Sequence, residues 1–164
     1  MIGRRRFTRD RHGLYRTGLT EAERQLLKVV PEQIKGLLDS RDPSTKRVFP
    51  VAYPGDGEAE KEYREMMGEH LLARHQHAFD VLVATVDSPS VDDDEIHQWL
   101  DALEVLRLIL GTQLDVSEDP LVFDEGDDRA PQFALYSYLS MLQGEIIDSL
   151  ASALPARGSA PGDE

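Results

Sequence analysis

Residues 96–114 constrain this chain more than any other stretch, because Ile96, Trp99, Leu103, Leu106, Leu110 and Leu114 recur at steps of three and four. That is the period of one helix face, so the spacing predicts a long helix with a continuous buried stripe. Arg107 falls inside the same stretch. A guanidinium in apolar surroundings is costly unless a carboxylate answers it. Asp56 and Glu62 are the candidate partners for such a structural ion pair. The other reading is that the Arg107 stem covers apolar surface while its head reaches water. In both readings the residue is architectural.

A chain of 164 residues is long enough to bury a core as one domain. It has no run of 18 apolar residues and no apolar signal region, so neither a membrane span nor export by the usual route is expected. It has no cysteine, which excludes a disulfide scaffold, a thiolate zinc site and a cysteine redox switch. The expected compartment is cytoplasmic. The net charge of −13 is unevenly spread: residues 1–16 hold six arginines against Asp10, which is +5 and leaves −18 on the remainder. So acidic a body repels phosphates, and direct nucleic-acid binding by it is not expected. The basic arm itself has three candidate targets: nucleic acid, an acidic partner, or the acidic surface of its own domain.

Phe7-Thr8-Arg9 and Leu14-Tyr15-Arg16-Thr17 read as two short extended pieces around a turn at Gly13, a small hairpin or arm. Thr20-Glu21-Ala22-Glu23 has capping-box form and opens a first helix ending near Asp39, which Pro31 should kink or split. Residues 41–57 hold Pro43, Pro50, Pro54, Gly55 and Gly57 together with Val48, Phe49, Val51 and Tyr53, the pattern of an irregular strap laid across helices. Asp56 is placed to cap a second helix over residues 57–86, in which Gly68 marks a close crossing or a weak spot. Ser88-Pro89-Ser90 breaks the chain, and Asp92-Asp93-Asp94-Glu95 opens the third helix, reaching Gln113. An acidic loop over 115–128, holding Leu121-Val122-Phe123, leads to a fourth helix over 129–153 with Pro131 in its first turn. The expectation is an all-α fold: a basic arm (1–19), a compact bundle of four main helices (20–153) and an unstructured tail (154–164).

No constellation in the sequence points to catalysis. Of His70, His75 and His77 only His70 and His77 share a helix face, the second helix lacks a matching ligand pair, and Asp94 with His97 is a lone, imperfect match to a bundle ligand motif. The carboxylates at 92–95 offset a helix dipole and have no glycine-punctuated ligand loop after them. Neither a nucleophile elbow nor a phosphate-cradling glycine loop occurs. Met66, Met67, Trp99, Phe133, Tyr136 and Tyr138 read as core side chains. No cofactor, no metal and no enzymatic activity are expected.

Several of these residues, in order, resemble an actinobacterial helical family known mostly as a domain of unknown function, which includes the oxidative-stress regulator AosR. The resemblance rests on Arg47-Val48-Phe49-Pro50-Val51-Ala52-Tyr53, Asp56, Glu62-Tyr63-Arg64, Trp99-Leu100-Asp101-Ala102-Leu103 and Arg107-Leu108-Ile109-Leu110-Gly111-Thr112. It extends more loosely over residues 20–23 and 138–143. It implies a regulator that works by protein contact, joining a sigma factor to steer transcription of sulfur-metabolism and thiol-defence genes. The cysteine pair on which sensing depends in that regulator has no counterpart here. Where the family places Asn-Asp before its Leu-Arg-Leu, this chain has Glu104 and Val105.

The resulting expectation is a non-enzymatic cytoplasmic regulatory adaptor, with a sigma factor or RNA polymerase as partner in stress-responsive transcription. Its candidate contact residues are Arg4, Arg5, Arg6, Phe7, Tyr53, Asp56 and Arg64. Two alternatives remain at this stage: a metal- or ligand-binding helical-bundle enzyme, and a homo-oligomeric structural protein.

Overall fold

Helix starts in this chain coincide with side chains that accept from the first free amides. The structure, a computed structural model, describes residues 5–115, 126 and 128–154. Thr20 with Glu23, and Asp92 with Glu95, close two capping boxes that open α1 (Glu21–Ser40) and α3 (Asp93–Gln113). Asp56 accepts from the Ala59 N–H at 3.1 Å and opens α2 (Gly57–Thr85). α4 (Ala130–Ala153) has no side-chain cap and carries Pro131 in its first turn, where the missing N–H costs nothing. All four helices lie where periodicity and caps place them.

α1 continues through buried Pro31 to Ser40 instead of splitting there. The chain then turns at Arg41, whose φ of 54° is a left-handed conformation usually taken by glycine, and whose N–H returns to the last carbonyls of α1. A 3-10 turn, Pro43–Thr45, follows with Asp42 as its cap.

The hairpin is real and has a third strand. β1 (Phe7–Arg9) pairs antiparallel with β2 (Tyr15–Thr17), placing Thr8 opposite Arg16, and the turn between them uses Gly13 at a φ of 82°. β3 (Ser90–Val91), from the link between α2 and α3, completes the sheet in the order β1-β2-β3. The sequence reading took residues 88–90 as a plain break, because two residues show no period.

The sheet sits on the core instead of standing off it. Phe7 is 4% exposed and meets Trp99 edge-on at 6.0 Å, while Tyr15 and Leu19 are also buried. The Ser149 hydroxyl of α4 donates to the Phe7 carbonyl at 3.2 Å. Trp99 donates its indole N–H to Thr85 at 2.7 Å, so its polar atom is satisfied inside the core. Arg24 gives Nη2 to the Thr17 carbonyl at 2.6 Å and Nη1 to the carbonyls of Val86 and Ser88, joining α1, β2 and the link that forms β3.

Along α3 the predicted stripe is buried throughout, from Ile96 to Leu110 and on to Leu114. Arg107, however, gives Nη1 to Gln143 of α4 at 2.6 Å, and its buried Nε has no partner among the described residues. Asp56 is engaged as the α2 cap and Glu62 is exposed. The proposed ion pair is therefore replaced by a neutral amide contact, because Arg107 leans toward α4 and not toward the strap. Among the described residues no helix is long and apolar enough to cross a membrane. Arg4, residues 116–125 (with Leu121 to Phe123) and the tail from Pro155 lie outside the described residues.

Candidate functional site

The segment after α1 and the first half of α2 enclose a groove of about 460 Å³. Its floor is apolar because Val48 is buried beneath the strap, leaving Phe49 half-buried beside Pro50, Val51 and Leu71. The Arg41 guanidinium lies 3.8 Å over the Phe49 ring and donates to the Gly68 carbonyl at 3.0 Å. A Cβ at position 68 would approach Arg41 Nη2 at 3.3 Å, so Gly68 admits a guanidinium and not a second helix. Phe49 also meets His75 edge-on, and His75 donates Nε2–H to the Val48 carbonyl at 2.9 Å. Burial pushes the His75 pKa below its ordinary value, against the raising effect of that hydrogen bond.

One carboxylate fastens the outer half of the strap. Glu60 accepts from the Ala52 and Tyr53 amides at 3.0 and 2.9 Å, and from Arg64 Nε at 3.2 Å. No short-range motif in the sequence marks Glu60 for this role. The signal that identifies it is the pair of consecutive amides in a proline-rich segment, which need an acceptor from outside the segment. Tyr53 packs edge-on against Tyr63 at 6.1 Å. Around this end Val51 is 53% exposed, Tyr53 50%, Met66 72% and Met67 39%. The reading of both methionines as core is corrected: they sit on the solvent side of the half of α2 that only the strap covers.

The Glu60 carboxylate brings Tyr53 and Arg64 together beside the groove, with Asp56 at the start of the same helix. Phe7, Arg5 and Arg6 lie elsewhere. Phe7 faces the core, so it is no partner contact in this fold. Arg6 is held by Glu23 at 2.9 Å and Glu145 at 3.1 Å, and the hydrogen bond to Glu23 leads the effects that raise its pKa. Of the three targets open to the basic arm, Arg6 takes the domain's own acidic surface. Arg5 remains exposed and lines a second groove, about 590 Å³, between β1 and the C-terminal half of α4. That groove mixes Arg5 and Arg9 with Asp10, Glu145 and Asp148, so it offers no single sign of charge to a ligand. Above Arg6, burial pushes the Tyr138 hydroxyl pKa up.

Among the described residues no three His, Asp or Glu side chains converge as a metal site. What the strap groove can do chemically is bind: it combines exposed apolar carbon with cationic side chains and holds no paired acid and base. A family model described as "Domain of unknown function (DUF2017)" matches residues 4–150. No curated protein and no solved structure matches the chain.

Proposed function

The chain belongs to the DUF2017 family, and from its surface we propose that it is a non-enzymatic regulatory adaptor that binds a protein through the strap end. The observation that carries this reading is the groove itself, lined by exposed Val51 and partly buried Phe49 and Leu71, with exposed Tyr53 packed on its lining residue Tyr63. Exposed apolar side chains that cluster mark contact surfaces. The resemblance to the actinobacterial family that includes AosR supports a partner in the transcription machinery, a sigma factor or RNA polymerase, and a cytoplasmic setting. With no cysteine in the chain, its regulation uses something other than a disulfide.

Affinity purification from the source cell, with proteins identified by mass spectrometry, tests the reading. The wild-type chain should recover a sigma factor or RNA polymerase subunit, and a Val51→Asp, Tyr53→Asp double variant should lose it. Recovery of no transcription protein, or equal recovery by both, overturns it. Deleting the basic arm is the wrong control, because it strips Phe7 and Tyr15 from the core; Arg5→Glu changes the arm's charge without that damage.

A further inference from the structure

Resting on the adaptor reading, we infer that the strap groove selects an acidic peptide segment of its partner, with a bulky apolar side chain between carboxylates. The rim carries Arg41, Lys46 and Arg64, all exposed. Among the described residues no carboxylate lies within ion-pair distance of Arg41 or Lys46, whereas Arg64 gives only its Nε to Glu60. The one carboxylate lining the groove, Asp42, is engaged by the Ser44 amide at 2.9 Å and its hydroxyl at 2.7 Å. The amide bond is the main cause holding the Asp42 carboxyl below its ordinary range. In a chain with 31 acidic and 18 basic residues, three cations around one groove, two of them with no carboxylate in ion-pair reach among the described residues, are an exception to the overall charge. They make this the place where an acidic segment meets attraction at contact.

The floor supplies the second half of the selectivity. Phe49, Val51 and Leu71 present carbon between the cations, and a groove of about 460 Å³ takes one or two side chains, not a folded surface. A leucine or phenylalanine seated there expels water, which strengthens the flanking ion pairs by lowering the local dielectric. A neutral peptide would desolvate the rim without answering its charge, and a basic one would be repelled. An extended polyanion such as nucleic acid matches the rim but meets the acidic body on every side.

Fluorescence anisotropy on the full chain tests this with four short labelled probes: Asp and Glu flanking Leu-Phe, the same peptide with Asn and Gln, the acidic peptide with Ser-Ser at its centre, and a single-stranded oligonucleotide. The first probe should bind at least about tenfold tighter than the other three, and Lys46→Glu should weaken it by about tenfold. Val51→Asp should do the same, and circular dichroism should show both variants folded. Equal binding of the amide or Ser-Ser peptide, preference for the oligonucleotide, or no binding by any probe overturns the inference. A partner that the Val51→Asp, Tyr53→Asp variant loses, alongside a flat peptide panel, leaves the adaptor reading standing and removes only the acidic-peptide selectivity.

Discussion

At the sheet end, Arg24 binds three carbonyls, Phe7 packs on Trp99, and Lys28 meets Asp87 at 2.5 Å. At the strap end, two amides hang on the single carboxylate of Glu60, and one guanidinium covers Phe49. The first region uses its polar groups to close a core around a strand from each of two distant segments. The second leaves Val51, Tyr53 and Met66 in solvent. The difference is that between a surface finished within the chain and one that leaves apolar carbon in solvent. Stability and recognition should therefore respond to different substitutions.

The largest effect should come from Phe7→Ala. Loss of a buried aromatic ring costs about 3–5 kcal/mol, whereas Val51→Asp at the other end should stay within about 0.5 kcal/mol. Urea unfolding of both variants checks the pair, and equal losses would erase the contrast. Arg24→Met keeps the stem and removes the donors to the Thr17 and Val86 carbonyls, while Ser88 keeps the Thr17 hydroxyl, and should cost about 2 kcal/mol. The same substitution should speed amide exchange at Thr17 while leaving Tyr53 unchanged; exchange rising equally at both ends would refute a local staple.

Glu60→Gln should cost about 1 kcal/mol or less, since one amide oxygen can still accept. Its distinguishing result is faster exchange at Ala52 and Tyr53 with no change in β2, read by hydrogen exchange. The smallest effect is pH-dependent. Burial lowers the pKa of folded His75 below the ordinary histidine value of 6.5, so the unfolded chain takes up that proton first. His75 thus contributes fully above that value, and its contribution is lost as pH falls through it. Protection factors at Val48 and Phe49, with exchange corrected for its intrinsic pH dependence, should fall on acidification in the wild type and stay flat in His75→Leu. A wild type whose strap is indifferent to pH would show that the imidazole is not what anchors it.

Much of the fold was legible before any coordinates. The α3 stripe, the capping residues Thr20, Asp56 and Asp92, Pro131 at the start of α4 and the hairpin turn at Gly13 all signal through neighbours within one or two turns. The strap was recognisable as a segment too apolar for a free loop, and Tyr53 and Arg64 fall at its groove. The residues that build that groove were not recognisable, since Arg41 reaches Gly68 across 27 positions and only the backbone turn at the end of α1 aims it there.

Local chemistry alone determined where the helices begin and end and which face of each is apolar, because caps and periodicity act between residues a few positions apart. Tertiary structure alone decided that Phe7 belongs to the core, through a hydrogen bond from a residue 142 positions away, and that Arg107 turns to Gln143 instead of a carboxylate. It also decided which end of the bundle stays open. Such contacts depend on how helices pack against one another, and the apolar pattern that drives packing says a face is buried without naming what covers it.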